Sequence, residues 1–295
     1  MEADLRHVCF EGTRPSASRR AAWQTTPKHR RRPHLRSLTA EPPDGFVDWI
    51  IRRAGLDASR YRRRPLLRRL PACLRTLKVR STEEACELLQ DRPDLLPAAI
   101  SSLLIGVTDF FRDPAVFESV RAKVLPNVAG LRGPLRVWSA ACSTGEELYS
   151  LAILLAEARV LRHSFLLGTD CRPDAIERAR VARYHSAALR PLEPAIRSRY
   201  FAAAGDSWRP IESLRQHVRW KVADMAERIE EGPWHIILWR NAAMYLNPEP
   251  AATTWRRLAG ALMPHGFLIA GKAEWPPAGL SLLPVGRCIY RKIAP

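Results

Sequence analysis

Apolar positions have helical spacing in the first part of the chain and gather into strand-like runs in the second. From Pro43, Phe46, Ile50 and Ile51 are followed by Ala54-Gly55, which predicts a short helix closed by Gly55. Leu66, Leu67, Leu70, Leu74 and Leu77 recur at helical spacing, while Arg63, Arg64, Arg68, Arg69 and Arg75 fall mostly on other faces. One face is core and the opposite face is cationic. Pro71 interrupts this run and predicts a kink or a split into two helices. Ser81-Thr-Glu-Glu84 reads as a helix start, and Ala85 to Leu89 and Leu95 to Ile105 give two more helices. Arg136 to Ser139, Phe165 to Asp170 and Trp234 to Asn241 then read as strands of an open, mostly parallel sheet. Ile211, Leu214, Val218, Trp220 and Val222 alternate like a small antiparallel insert within 189–222. The expected architecture is a basic segment 1–42, an all-α domain 43–115 and an α/β domain 116–295.

Composition narrows the class. No uninterrupted apolar run approaches the roughly 18 residues of a membrane span, so no membrane insertion is expected. Residues 1–80 hold 20 Lys or Arg against 7 Asp or Glu, and the whole chain carries +17, so the basic surface lies at the N-terminal end. Residues 12–40 contain no acid and no steady apolar period, which reads as disorder. The six cysteines form no C-x-x-C pair and no cluster with His, so neither a zinc site nor a disulfide framework is indicated; a reducing cytoplasm and a chain without a metal fit best.

The run Arg136-Val-Trp-Ser-Ala-Ala-Cys-Ser-Thr-Gly-Glu-Glu-Leu-Tyr reads as a strand, a small-residue turn and a helix head. Such a unit presents backbone N–H groups to a ligand. Two carboxylates, Glu146 and Glu147, would repel a pyrophosphate and suit hydroxyl and ammonium groups, which points to S-adenosylmethionine rather than NAD or ATP. An ordinary capped helix in an α/β core is the alternative. Asp170 ends a second apolar run about 20 residues on, where α/β folds place a carboxylate for ribose hydroxyls, although an acid there also serves as a helix cap. Arg240 and Asn241 end a third run. Ligands gather at the carboxyl ends of parallel strands, so these residues are expected in one crevice.

Thr108-Asp-Phe-Phe-Arg-Asp113, Trp138-Ser-Ala-Ala-Cys-Ser-Thr-Gly-Glu-Glu-Leu-Tyr-Ser150, Thr169-Asp170, Arg199-Tyr-Phe201, Arg240-Asn-Ala-Ala-Met-Tyr245, Gly271-Lys-Ala-Glu274 and Tyr290-Arg-Lys292 occur in one order. In that order and spacing the chain resembles the CheR-type chemotaxis receptor methyltransferases over roughly residues 45 to 292. The resemblance implies a Rossmann-like S-adenosylmethionine-dependent methyltransferase domain after a helical domain. The implied activity is methyl transfer to glutamate side chains on chemoreceptor cytoplasmic helices. It implies Thr108 and Arg112 at the methionine end of the cofactor, Glu146 at its amino group or ribose side, Asp170 at the ribose, and Asp224 and Met225 beside the adenine. Gly106, Arg240 and Asn241 would complete the pocket. Arg112 and Tyr245 would act at the methyl-transfer position, the former orienting the substrate carboxylate.

The sequence departs from the family pattern at several of these places. Gly106 stands where Asn is common, Ala141 where Gly is frequent, Leu148 replaces Pro, Asp224 replaces Asn, and Lys272-Ala273 replaces His-Ser. By the resemblance, the arginines between Arg62 and Arg80 would meet acidic helices of a receptor, with the protein a monomer in the cytoplasm. Two other functions stay open, the first because a basic appendage also suits RNA and the second because of the departures just named. One is an RNA methyltransferase, although no Asn-Pro-Pro-Tyr or Asp-Pro-Pro-Tyr run accompanies Arg240-Asn241 and no aromatic follows Tyr61 within the arginine cluster. The other is a cofactor-binding scaffold with little activity.

Overall fold

The computed structural model describes residues 45–293, apart from 105, 107 and 132. The segment 1–42, read above as disordered, lies outside the described residues. Five helices open the described chain: α1 (Phe46–Arg53), α2 (Arg63–Leu67), α3 (Leu70–Leu77), α4 (Thr82–Asp91) and α5 (Leu96–Leu103). Gly55, at φ +77°, ends α1 by turning left-handed, a conformation that side chains penalise. The apolar run through Pro71 is split, because proline cannot donate to the preceding turn and so sits in the first turn of α3. Ser81 caps α4 by accepting from the Glu84 N–H at 3.2 Å.

There follow α6 (Pro114–Lys123), α7 (Leu125–Val128), β1 (Leu135–Ala140), α8 (Glu146–Glu157), β2 (Ser164–Asp170), α9 (Pro173–Val181), β3 (Tyr184–His185), α10 (Pro194–Tyr200), β4 (Phe201–Ala204), β5 (Ser207–Pro210), α11 (Glu212–Arg215), β6 (Val218–Val222), β7 (Trp234–Trp239), α12 (Pro248–Ala261), β8 (Leu262–Ala270), β9 (Leu282–Gly286) and β10 (Ile289–Lys292). The main sheet runs β6-β2-β1-β7-β8-β10-β9. Its first five strands are parallel, and β10 is antiparallel to both neighbours. Chain order reverses between β1 and β7, and that switch point opens a crevice at the strand ends.

Central strands read as unbroken apolar runs because both of their faces are covered. On β7, Ile236 and Leu238 enter one core with Phe117, Leu148 and Leu151, while Ile237 and Trp239 enter another with Phe46, Ile50 and Leu103. The helices before residue 104 therefore share a core with one face of the sheet. Further backbone bonds fasten them: Arg62 N–H donates to the Tyr245 carbonyl at 2.7 Å, and Asn247 N–H to the Arg60 carbonyl at 2.8 Å.

The antiparallel insert differs from the expectation. It is the small sheet β3-β5-β4, spanning 184–210, whereas Val218 to Val222 join the main sheet as a parallel edge strand paired with Leu166 to Asp170. Alternation is the same for an edge strand and a hairpin strand, so only the pairing partner distinguishes them. Ile211 and Leu214 flank or lie in the short helix α11 rather than a strand.

Candidate functional site

The crevice at the switch point is half open to solvent. Gly106, Thr108, Arg112, Asp170, Asp224, Met225, Arg240, Asn241 and Tyr245 all line it, so nine residues singled out from the sequence converge on one place. Glu146 does not reach it. That side chain turns to the other side of the α8 head, takes the Thr144 hydroxyl at 2.6 Å and borders a separate cavity with Tyr184. Burial pushes its carboxyl up to about 7. The neighbour Glu147 lines the crevice instead.

The floor is a chain of buried charges. Glu147 accepts from Ser139 at 3.0 Å and from Arg240 Nη1 at 2.8 Å. Arg240 Nη2 also donates to Asp113 at 3.0 Å and to the Arg112 carbonyl at 2.8 Å, and its guanidinium lies 5.3 Å from the Phe117 ring centroid. Lys272, half exposed, meets the outer end of this chain at 2.5 Å from Asp113. Arg240 thus holds the loop that carries Arg112, whose flanking residues Phe111 and Asp113 both have positive φ. Behind Asn241, the buried Glu274 carboxylate accepts from the N–H groups of Asn241 at 2.7 Å, Ala243 at 2.8 Å and Gly271 at 3.0 Å, which fixes the turn after β7.

The turn between β1 and α8 places Ala141, Ser143 and Gly145 at positive φ. Only Gly145 is free of a side-chain penalty there, and a Cβ on it would meet the Trp220 ring at 2.7 Å. Ser143 N–H donates to Asp170 at 2.9 Å, which links the turn to the end of β2. Asp170 does not cap α9; it is itself paired with Arg172, whose Nε lies 2.9 Å from Oδ1.

Tyr61 comes from the helical segment and was not singled out by sequence. It lines the crevice and its hydroxyl donates to Asp224 at 3.3 Å, beside the Ala226 N–H at 2.9 Å. Burial raises the Asp224 carboxyl. Glu147, Tyr61 and Arg172 are thus wall residues that periodicity alone does not mark. Among the described residues no group of three or more His, Cys, Asp or Glu is placed to hold a metal ion, and no helix is long and apolar enough to cross a membrane.

These walls fit S-adenosylmethionine. Glu147 offers an acceptor for an ammonium group, Asp170 and Asp224 acceptors for hydroxyl or amine groups, and Met225, Ala226 and Leu246 apolar surface for a flat ring, while Arg112 sets a cation at the same end as Glu147 and Arg240. A parallel sheet closed by an antiparallel hairpin, with such a cleft at its switch point, defines an S-adenosylmethionine-dependent methyltransferase. Residues 106–278 match the description "CheR methyltransferase, SAM binding domain", and the chain belongs to the CheR methyltransferase family. It is 30% identical over 250 residues to a chemotaxis protein methyltransferase of Listeria monocytogenes, covering 84% of this chain and 95% of that protein. It is also 30% identical over 189 residues to chemotaxis protein methyltransferase 1 of Vibrio cholerae, covering 61% and 69% respectively.

Proposed function

We propose that this chain methylates glutamate side chains on acidic helices of a chemoreceptor-type signalling protein. The observation that carries the reading is electrostatic continuity at the mouth of the cleft. Half-buried Tyr245 lies within the fields of Arg69, Arg172, Arg112 and Arg68. Arg62, Arg63, Arg64, Arg68 and Arg75 extend the same charge outward, all exposed, from the residue before α2, from α2, from the turn between α2 and α3, and from α3. A carboxylate on a helix is drawn to such a surface.

S-adenosylmethionine, when bound, supplies an electrophilic methyl group on sulfur. A solvated glutamate titrates near about 4.3, so it arrives ionised and the chain has no proton to remove. Its residues have only to bind, orient and exclude water. Arg112 grips the incoming carboxylate, Arg240 and Asp113 hold the loop of Arg112 in place, and Tyr245, whose hydroxyl burial keeps protonated, closes the position from the other side.

Single-turnover methyl transfer to a receptor cytoplasmic fragment tests this. Arg68→Glu with Arg75→Glu should abolish transfer while S-adenosylhomocysteine affinity stays at the parent value. Arg112→Lys should lower the rate on the order of a hundredfold, because a single ammonium cannot reproduce the two-point grip and a shift of about 1 Å costs that much. Parent-like rates in both variants would remove the arginines from substrate recognition. RNA binding lost in the charge-reversal variant, without receptor methylation by the parent, would assign the basic surface to nucleic acid.

A further inference from the structure

Arg172 stands two residues beyond Asp170, just before α9, and only 6% of it is exposed. Its Nε donates to Asp170 Oδ1 at 2.9 Å and its Nη2 to Oδ2 at 3.2 Å. The same Nη2 reaches the Ser143 hydroxyl at 3.0 Å, and Nη1 reaches the Leu104 carbonyl at 3.1 Å. One guanidinium therefore ties together the end of β2, the turn before α8 and the segment leaving α5. All three border the cleft, and so does Arg172 itself.

The position facing it is Gly106. A Cβ there would lie 2.1 Å from Arg172 Nη2, 2.5 Å from Nη1 and 2.3 Å from Ser143 Oγ. What keeps a side chain out is the guanidinium together with the Ser143 hydroxyl it holds. Residue 106 and Arg172 compete for one volume in the cleft wall, and this chain fills it from the β2 side.

We propose that Arg172 is a cofactor-site residue that takes the place of a side chain at position 106. It holds the Asp170 carboxylate and the Ser143 hydroxyl in fixed orientation and sets a planar cation into the wall beside Asp170. Asp170 meets the ligand already aligned, with its charge balanced inside the protein. The proposal rests on S-adenosylmethionine occupying this cleft and is independent of what accepts the methyl group.

Titration calorimetry of the full chain with S-adenosylhomocysteine provides the test. Arg172→Ala should weaken binding by about tenfold or more, the loss for a hydrogen bond to a charged group, and Arg172→Lys should fall between it and the parent. Gly106→Ala should also weaken binding, by pushing the guanidinium off Asp170. In an Arg172→Ala background the same substitution should cost clearly less affinity than in the parent, because only the rotatable Ser143 hydroxyl remains to be displaced. Gly106→Ala and Arg172→Lys keep every buried charge, so they carry the test if Arg172→Ala does not fold. A merely structural role for Arg172 would lower stability without this non-additive pattern in affinity. Unchanged or tighter binding in the Arg172 variants, or additive effects of the two positions, overturns the proposal while the parent still binds. A folded parent that fails to bind overturns the cofactor assignment and the proposal together.

Discussion

On the sheet side of the cleft, Asp170 is buried against Arg172 and Glu147 against Arg240, whereas on the helical side Arg62, Arg63, Arg64, Arg68 and Arg75 stand in solvent. The buried pairs gain little over apolar packing, yet losing one partner strands the other in a poorly solvating interior. They act as fixed geometry. The exposed arginines contribute little to stability and keep their charge available to a partner. The same residue type thus serves two purposes according to burial, and the border between them runs through the cleft.

Removing Arg240 should break the sheet side most severely. Arg240→Ala leaves Glu147 and Asp113 without their guanidinium, and a loss of about 3–5 kcal/mol is expected in urea unfolding. A loss below about 1 kcal/mol would show that this side is no more rigidly paired than the surface.

Glu146 sharpens the comparison because it is buried beside the paired carboxylates and takes its hydrogen bond from a threonine. Its folded value of about 7 lies above the ordinary 4.5, so the stability it contributes is fully present below about pH 4.5 and is lost as pH rises through 7. At 1.36 kcal/mol per unit the swing is at most about 3 kcal/mol. Glu146→Gln should flatten the parent's loss of stability between pH 5 and 8, followed by thermal unfolding. Parallel curves for the two proteins would refute the burial argument.

For ligand binding, Asp170→Asn keeps the shape and removes the charge. Weakening of S-adenosylhomocysteine by about 1.5–3 kcal/mol is expected from hydrogen bonds to a charged group. Unaltered calorimetric affinity with an intact fold would sink the ribose assignment.

The smallest effect belongs to Tyr61, which crosses from the helical side to Asp224. Tyr61→Phe deletes one hydrogen bond at 3.3 Å, so cofactor affinity should fall by about 1 kcal/mol or less. A loss as large as that of Asp170→Asn would mean that the helical side builds the pocket as firmly as the sheet does.

Much of this arrangement could be read from residue order. Nine of the predicted site residues share one cleft because strand ends of a parallel sheet converge, and the apolar runs that end in Asp170 and Arg240 mark those ends. Glu146 and Glu147 were harder to separate. Successive residues at a helix head point in different directions, and which one faced the crevice depended on Ser139 and Arg240, the latter far away in the chain. Tyr61 lies 163 residues from Asp224, and no local pattern announces such a contact. The strand 218–222 was visible as a strand, but its partner in the main sheet was not.

By itself the sequence determined the helices before residue 104 and the central strands, because periodicity, proline and glycine act within a few residues, and it determined the family through motifs that keep their order. Tertiary structure alone decided which carboxylate of the Glu146–Glu147 pair faces the cleft, that Arg172 occupies the volume opposite Gly106, and that the helical segment supplies Tyr61 to the wall. Those outcomes are contests for space and for hydrogen-bond partners between residues remote in the chain, and they are settled only when the segments pack together.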